Sequence, residues 1–249
     1  MNSFRVMKKY FFMFLFLLTV LKLSSQEKKT NETGSWHTLI NKFTISDKLY
    51  AVNVSQLRMV EFAKETRIFL LIPSLNYNLN KSISIGLGYV HLKFNQTGIR
   101  NPTLDYEDRI FQHISLSTDY WNVKIGHRFM MEERFKTKLD NASAYANRFR
   151  YRLHFDFNVM RLTNGKHILG KISEELRVRF GSGLNNPEFD QNNFSALVGY
   201  NLFNNSKLYL GYGRDFYKDG KSDYWGDHLL HVVVNYNLDF SKKKLVAKL

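Results

Sequence analysis

Residues 148 to 159 alternate charged or polar side chains with large apolar ones without a break. Successive side chains of a β-strand point to opposite faces, so a strand here has six apolar groups on one face and six polar groups on the other. The pattern recurs in segments longer than the roughly 9–11 tilted residues with which a strand crosses a bilayer. The chain is therefore predicted to be all-β, with each strand apolar on one face and polar on the other.

The connections between these segments alternate in length. They are short at 79–82, 119–122, 160–166 and 203–206, and longer at 95–105, 137–145, 182–189 and 218–226. Transmembrane β-barrels of the outer membrane have this asymmetry, with tight turns on the periplasmic side. The parity predicts an antiparallel barrel of ten strands with both ends on that side, at 47–58, 65–79, 82–95, 106–119, 121–136, 145–160, 166–181, 188–203, 206–218 and 226–240.

Three features do not fit this simple pattern. Residues 34–46 belong to none of the ten predicted strands. They form a lead-in segment, a plug or part of a twelve-stranded barrel. His127 and Glu133 interrupt the apolar face of 121–136, which predicts a bulge or a position near the rim. The segment 82–94 changes phase at Tyr89-Val90, which predicts another bulge.

The N-terminus has the form of a secretory signal peptide. Arg5, Lys8 and Lys9 precede the apolar run 10–21, and Ser24-Ser25 supply a cleavage site. The run of about 12 residues falls short of the roughly 20 that a spanning helix needs. We therefore expect export through the Sec pathway to the cell outer membrane, with a signal peptide at 1–25, a lead-in at 26–46, a barrel at 47–240 and a basic tail at 241–249.

The charge of the chain indicates its partners. Of the formal net charge of +14, the signal segment contributes +4, which leaves +10 on the mature chain. Export argues against nucleic acid, so the expected partners are outer-membrane lipids, small anionic solutes and the barrel assembly machinery, which reads a terminal aromatic such as Phe240. The chain has no cysteine, and its histidines show no compact ligand spacing, so neither a metal nor another cofactor is predicted.

The polar faces of the predicted strands place many charges in one interior. They would form either a structural salt-bridge network or, because bases exceed acids, a lumen that attracts anions. The predicted lumen charges are Glu107, Arg109, Lys124, Arg128, Glu132, Arg134, Arg148, Arg150, Arg152, Asp156, Lys171, Glu175, Arg177 and Arg179.

His113 and Ser115 are a weaker candidate for catalysis. Two residues apart on a strand, they share a face and have the chemistry of a base and a nucleophile. The spacing resembles that of the lipid A deacylase barrels, which would require Glu132 or Glu133 as the acid. A hydrogen-bonded interior pair is the alternative.

Six short segments of charged and aromatic residues follow one another along the chain. They are Glu107-Asp108-Arg109 with Gln112, Arg128 with Glu132-Glu133-Arg134-Phe135, Arg148-Phe149-Arg150-Tyr151-Arg152, Glu174-Glu175-Leu176, Phe189-Asp190-Gln191-Asn192 and Gly199-Tyr200. In this order they resemble an exported family catalogued as domain of unknown function 2490, frequent in Bacteroidota. The resemblance covers about residues 36 to 240 and implies an outer-membrane β-barrel without supplying an activity.

The sequence thus predicts an outer-membrane barrel that is a small anion-preferring channel, a ligand-binding barrel or a structural protein, and not an enzyme. Two alternatives stay open. One is a lipid A or phospholipid deacylase that uses His113 and Ser115. The other is a soluble periplasmic β-barrel or sandwich, which would bury the same apolar faces against protein.

Overall fold

The chain folds into one closed β-barrel in a computed structural model that describes residues 29–95, 104–181, 184–218 and 224–241. A 3₁₀ turn at Glu61–Ala63 follows the second strand. The eleven strands of the described residues are β1 (Lys29–Thr44), β2 (Leu49–Val60), β3 (Glu65–Asn78), β4 (Ile83–Phe94), β5 (Leu104–Tyr120), β6 (Val123–Lys138), β7 (Ser143–Arg161), β8 (His167–Phe180), β9 (Glu188–Phe203), β10 (Ser206–Lys218) and β11 (Tyr224–Asp239).

The predicted all-β barrel is confirmed, and its ten predicted strands correspond to β2 through β11. The stretch 34–46 supplies most of an eleventh strand, so the predicted counts of ten and twelve both differ from the structure. The barrel therefore begins upstream of residue 47. The signal segment and the tail after residue 241 lie outside the described residues.

The odd number of strands requires one parallel pair. Neighbouring strands in an all-antiparallel closed sheet alternate in direction, which is possible only with an even number. Here β1 pairs antiparallel with β2 and parallel with β11, from Glu32 opposite Asp227 to Thr44 opposite Asp239. As a result β1 begins at the end of the barrel that carries the long connections, whereas the sequence predicted both ends of the sheet at the short-turn end.

The two predicted bulges within β4 and β6 are absent from the described pairings. The registers of β4 with β3 and β5 continue without a shift through Tyr89-Val90. Val90 and Leu92 point into the barrel and are 2 % exposed, whereas Tyr89 and His91 point outward and bond Asp108. The pattern changes here because the interior of the barrel is apolar at this site and the outer face is polar.

His127 and Glu133 likewise keep their place on the outer face of β6, where the pairings with β7 show no shift. A 2.8 Å hydrogen bond joins His127 Nδ1 to the Tyr151 hydroxyl on the next strand. This bond satisfies the imidazole on an otherwise apolar face. Glu133 is exposed and lies on the side of His127 nearer the long connections.

Inward-facing glycines make room for rings in the lumen. A Cβ at Gly126 would lie 2.1 Å from the His154 ring, and one at Gly199 would lie 2.4 Å from the Tyr209 ring. Gly86 and Gly88 are related in the same way to His113 and Phe111. The glycines of β4 therefore relieve crowding inside the barrel.

No helix in the described part of the chain is long and apolar enough to cross a bilayer, a result that does not bear on crossing by strands.

The parallel β1–β11 seam can be tested by cross-linking, since the natural chain has no cysteine. Leu39 and Val234 are direct partners across the seam. We expect Leu39→Cys/Val234→Cys to be joined by a short bifunctional thiol reagent, seen as a mobility shift on gels. The pair Leu39→Cys/Phe129→Cys, whose second site lies on β6 across the barrel, is the control. Failure of the first pair to cross-link while each thiol labels singly would refute the seam.

Candidate functional site

Three cavities lined by described residues lie inside the barrel, one after another from the long-loop end to the short-turn end. We call them the upper, central and lower cavities, with volumes of about 320, 440 and 550 Å³. The upper and central cavities share the side chains of Trp36, Arg58, Arg109 and Arg177, which form the neck between them. The central and lower cavities are likewise neighbours, because they share lining residues that include Lys171.

The structure brings the predicted lumen charges together. Thirteen of them line one or more of the three cavities. The remaining one, Arg179, forms an ion pair with Asp190, an upper-cavity residue, with Nε and Oδ1 3.3 Å apart. Alternate polar positions on β5 to β8 therefore share the interior of the barrel.

Three buried carboxylates, Glu107, Glu132 and Glu175, are each bonded by more than one arginine. Glu107 accepts from Arg109 Nε at 2.6 Å, and from Arg134 through Nε at 2.5 Å and Nη2 at 3.1 Å. Glu132 accepts from Arg148 Nε at 2.6 Å and from Arg150. Both carboxylates are 1 % exposed, so the arginines replace water as their bonding partners.

Arginines that each pair with two carboxylates connect these groups into one network. Arg134, which bonds Glu107, also pairs with Asp190 at 3.5 Å. Arg150 bonds Glu132 and also Glu175, whose other donors are Arg128 Nη2 and Arg177 Nε, both at 2.8 Å. Arg148 bonds Glu132 and reaches Asp190 Oδ2 with Nη1 at 3.0 Å. The network therefore spans from β5 to β9 along one side of the lumen.

The central cavity has the largest excess of positive charge. Seven cationic side chains line it against two carboxylates, whereas the upper cavity has seven against five and the lower cavity four against two. Both central carboxylates, Glu132 and Glu175, are already bonded within the network. A net positive charge is therefore left over at the middle of the barrel.

Arg58 and Arg152 account for much of this excess. Neither forms an ion pair with a carboxylate among the described residues, and Arg152 Nε has no hydrogen-bond partner there. Arg58 instead stacks on Trp36 at 3.9 Å from the ring centroid, and its Nε donates to Gln56 Oε1 at 2.8 Å. Two guanidinium groups are thus free of carboxylates at the same cavity.

Arg58 and Asp190 were not among the predicted lumen charges. The even-numbered positions of β2 face inward from Tyr50 to Arg58, so continuing that parity would have found the arginine. Asp190 lies in a stretch of β9 that is polar on both faces, where alternation carries no information. Only its cross-strand partners reveal its role.

An apolar cluster also lies inside the barrel, which the sequence did not predict. It contains side chains from β3 to β6 that are at most 4 % exposed, and Ile68, Ile72 and Phe94 pack against it. The interior is therefore apolar on one side and ionic on the other. The buried members of the cluster are Leu70, Val90, Leu92, Phe111 and Met130.

His113 and Ser115 face the central cavity, with Ser115 Oγ 3.2 Å from His113 Nδ1. The other ring nitrogen of His113 lies 2.9 Å from Asn76 Oδ1 and not beside a carboxylate. Glu132 is bonded by arginines, and Glu133 is on the outer face. The structure thus brings the histidine and the serine together without the predicted acid, and within the described residues no three potential metal-binding His, Asp or Glu side chains are grouped.

A family described as protein of unknown function (DUF2490) matches residues 33–226. The chain belongs to this family. The match extends from β1 to the start of β11, and it confirms the family resemblance seen in the sequence. No curated protein and no solved structure matches the chain. Membership supplies no activity, so a function has to be argued from the lumen itself.

The ion network predicts that substituting two adjacent glutamates has very different effects on the free energy of unfolding. Glu132→Gln removes the buried carboxylate that Arg148 and Arg150 share, and breaking a buried ion pair in this way typically costs about 3–5 kcal/mol. Glu133→Gln changes an exposed residue and should cost about 0.5 kcal/mol or less. The free energy of unfolding in urea, followed by gel mobility or tryptophan fluorescence, checks both. Equal stabilities would contradict the network.

Proposed function

We propose that this protein is an outer-membrane β-barrel, exported through the Sec pathway, whose arginine-rich lumen binds a small anionic ligand. The membrane location is supported by the outer wall, where large apolar side chains such as Leu87, Ile114 and Val198 are 59 %, 50 % and 60 % exposed. Soluble monomers rarely expose apolar patches of more than a few hundred Å². Lipid would cover this surface, and the barrel assembly machinery would insert it.

The charge of the central cavity carries the proposal for the lumen. Seven cations face two carboxylates that are already bonded, and Arg58 and Arg152 have no described ion-pair partner. Burying unpaired guanidinium groups is costly, so an anion in this cavity would gain charge-assisted hydrogen bonds and relieve the excess. A purely structural network would be expected to balance its charges more closely.

The neck favours a binding barrel over an open channel. Trp36, stacked on Arg58, lies with Arg109 and Arg177 between the upper and central cavities. Arg109 and Arg177 are in turn bonded to Glu107 and Glu175, which restrains them. An anion-selective pore is the second candidate, since positively charged side chains line all three cavities.

Hydrolysis of lipid has less support. The histidine and serine face the lumen, away from the apolar wall that would meet acyl chains in a bilayer. Asn76 takes the position that a carboxylate would need to hold an imidazolium. We therefore propose that His113 and Ser115 form part of the lining of the central cavity and do not act in catalysis.

Phosphate binding tests the proposal. The purified barrel in nanodiscs at low ionic strength should bind inorganic phosphate saturably, as measured by calorimetry. Arg152→Gln removes a charged donor, which is worth roughly 1.5–3 kcal/mol, and should weaken binding about ten-fold or more. Arg161→Gln, an exposed arginine on the same strand, is the matched control and should leave the affinity unchanged.

Absence of saturable binding to the wild type, or equal weakening by both variants, would rule out a lumen site for anions. Planar-bilayer recordings discriminate the second candidate. A steady anion-selective current would favour the pore, whereas a non-conducting barrel that binds phosphate would favour the binding function.

A further inference from the structure

We infer that the natural ligand of the central cavity is an amphiphilic anion, with a carboxylate or phosphate head joined to a hydrocarbon body. The inference rests on the proposed anion-binding function and deepens it by naming the class of ligand. It comes from the distribution of side chains around the cavity and not from its net charge.

One arc of the cavity wall is rich in hydrocarbon, with the polar side chains of Gln56, Ser74 and Asn76 beside it. Val52 and Val54 of β2 and Ile72 of β3 are half-buried and line the cavity. Behind and beside them, Leu70, Val90, Phe111 and Met130 also contribute to the lining and belong to the buried apolar cluster. A lumen that served only hydrated ions would not need this surface, because water beside it is unfavourable.

The opposite arc is ionic. Arg150 and Arg152 of β7 and Glu175 and Arg177 of β8 line the same cavity. In the closed order of eleven strands, β7 and β8 lie across the lumen from β2 and β3. A ligand that fills the cavity therefore touches hydrocarbon on one side and guanidinium groups on the other.

The size of the cavity agrees with such a ligand. Its volume is about 440 Å³, within the range of roughly 300–1,000 Å³ typical of small-molecule sites. Inorganic phosphate alone has the size of only a few water molecules, each of which occupies about 30 Å³. A head group of that size leaves most of the cavity to be filled by the rest of the ligand.

The position of the head group follows from the free cations. Arg152 lies on the ionic arc, and Arg58 lies at the neck with its aliphatic stem on β2 next to the apolar arc. Neither is committed to a carboxylate among the described residues. The head would bond these arginines, and the hydrocarbon body would lie along Val52, Val54 and Ile72.

A series of ligands of matched length tests this inference. Octyl phosphate, octanoate, octanol and inorganic phosphate are titrated into the barrel in nanodiscs by calorimetry, with empty nanodiscs as the blank. Burial of several methylene groups should make octyl phosphate bind at least about ten-fold tighter than inorganic phosphate. Octanol, which lacks the charge, should not bind saturably. The tighter of octyl phosphate and octanoate identifies the head as phospholipid-like or fatty-acid-like.

Two variants separate the contributions of the arcs. Val54→Asn should abolish the advantage of octyl phosphate over inorganic phosphate and leave phosphate affinity intact. Ser55→Asn, the adjacent outward position on β2, is the control and should change neither. Val54→Thr, a nearly isosteric change, replaces Val54→Asn if that variant lacks the heat-modifiable mobility of the folded barrel.

The outcomes distinguish the two proposals. Equal affinities for octyl phosphate and inorganic phosphate would overturn the amphiphile and leave the anion site standing. Failure of every anion to bind would overturn both. Saturable binding of octanol as tight as that of octyl phosphate would show an apolar pocket in which the arginines have no part, and would also overturn the inference.

Discussion

A carboxylate enclosed within a protein wall has to be bonded by cations, because burying it alone costs several kcal/mol, comparable with the whole stability of a typical domain. Glu107, Glu132 and Glu175 meet this requirement through two or more arginines each. Arginine suits the task because its planar guanidinium group can bond two acceptors at once. The side of the barrel from β5 to β9 is organised around these bonds.

The asymmetry of the lumen follows from that arrangement. The arginines and carboxylates are grouped from β5 to β9, and Leu70, Val90 and Leu92 of β3 and β4 occupy the interior beside them. Glycines opposite His113 and Phe111 allow the rings to lie flat against the wall. The two groups meet on β5 and β6, where Phe111 and Met130 lie two residues from Arg109 and Glu132. The central cavity lies where the two environments meet.

Much of the fold could be predicted from the sequence because the signal repeats every two residues and is unbroken in β7. The same rule placed Arg128, Arg150 and Arg177 in one interior without any knowledge of their contacts. It failed where the polarity of a side chain does not indicate the face of the sheet on which it lies. Val90 and Leu92 of β4 are apolar and point inward, so assigning faces by polarity produced a bulge that the described pairings do not contain.

The number of strands could not be predicted from the local alternation of polar and apolar residues. β1 mixes polarity on both faces, with Ile40 inward and His37 outward, so residues 34–46 carry no clear alternation. Its parallel pairing with β11 is a contact between the two ends of the barrel sequence, which no local window contains. The lack of an ion pair at Arg152 could not be predicted from sequence either, since its cross-strand neighbour Glu175 is bonded to other arginines and Asp156 is paired with Lys171.

We propose that the outward faces of the strands contact lipid hydrocarbon while the ionic network faces a closed lumen. Nitroxide labels at single cysteines along β7, in the barrel reconstituted in lipid, test this arrangement through collisions with dissolved oxygen. We expect high oxygen accessibility at Tyr151, Leu153 and Phe155, alternating with low accessibility at Arg152 and His154. Accessibility without this two-residue period, or uniformly low values along the strand, would contradict it.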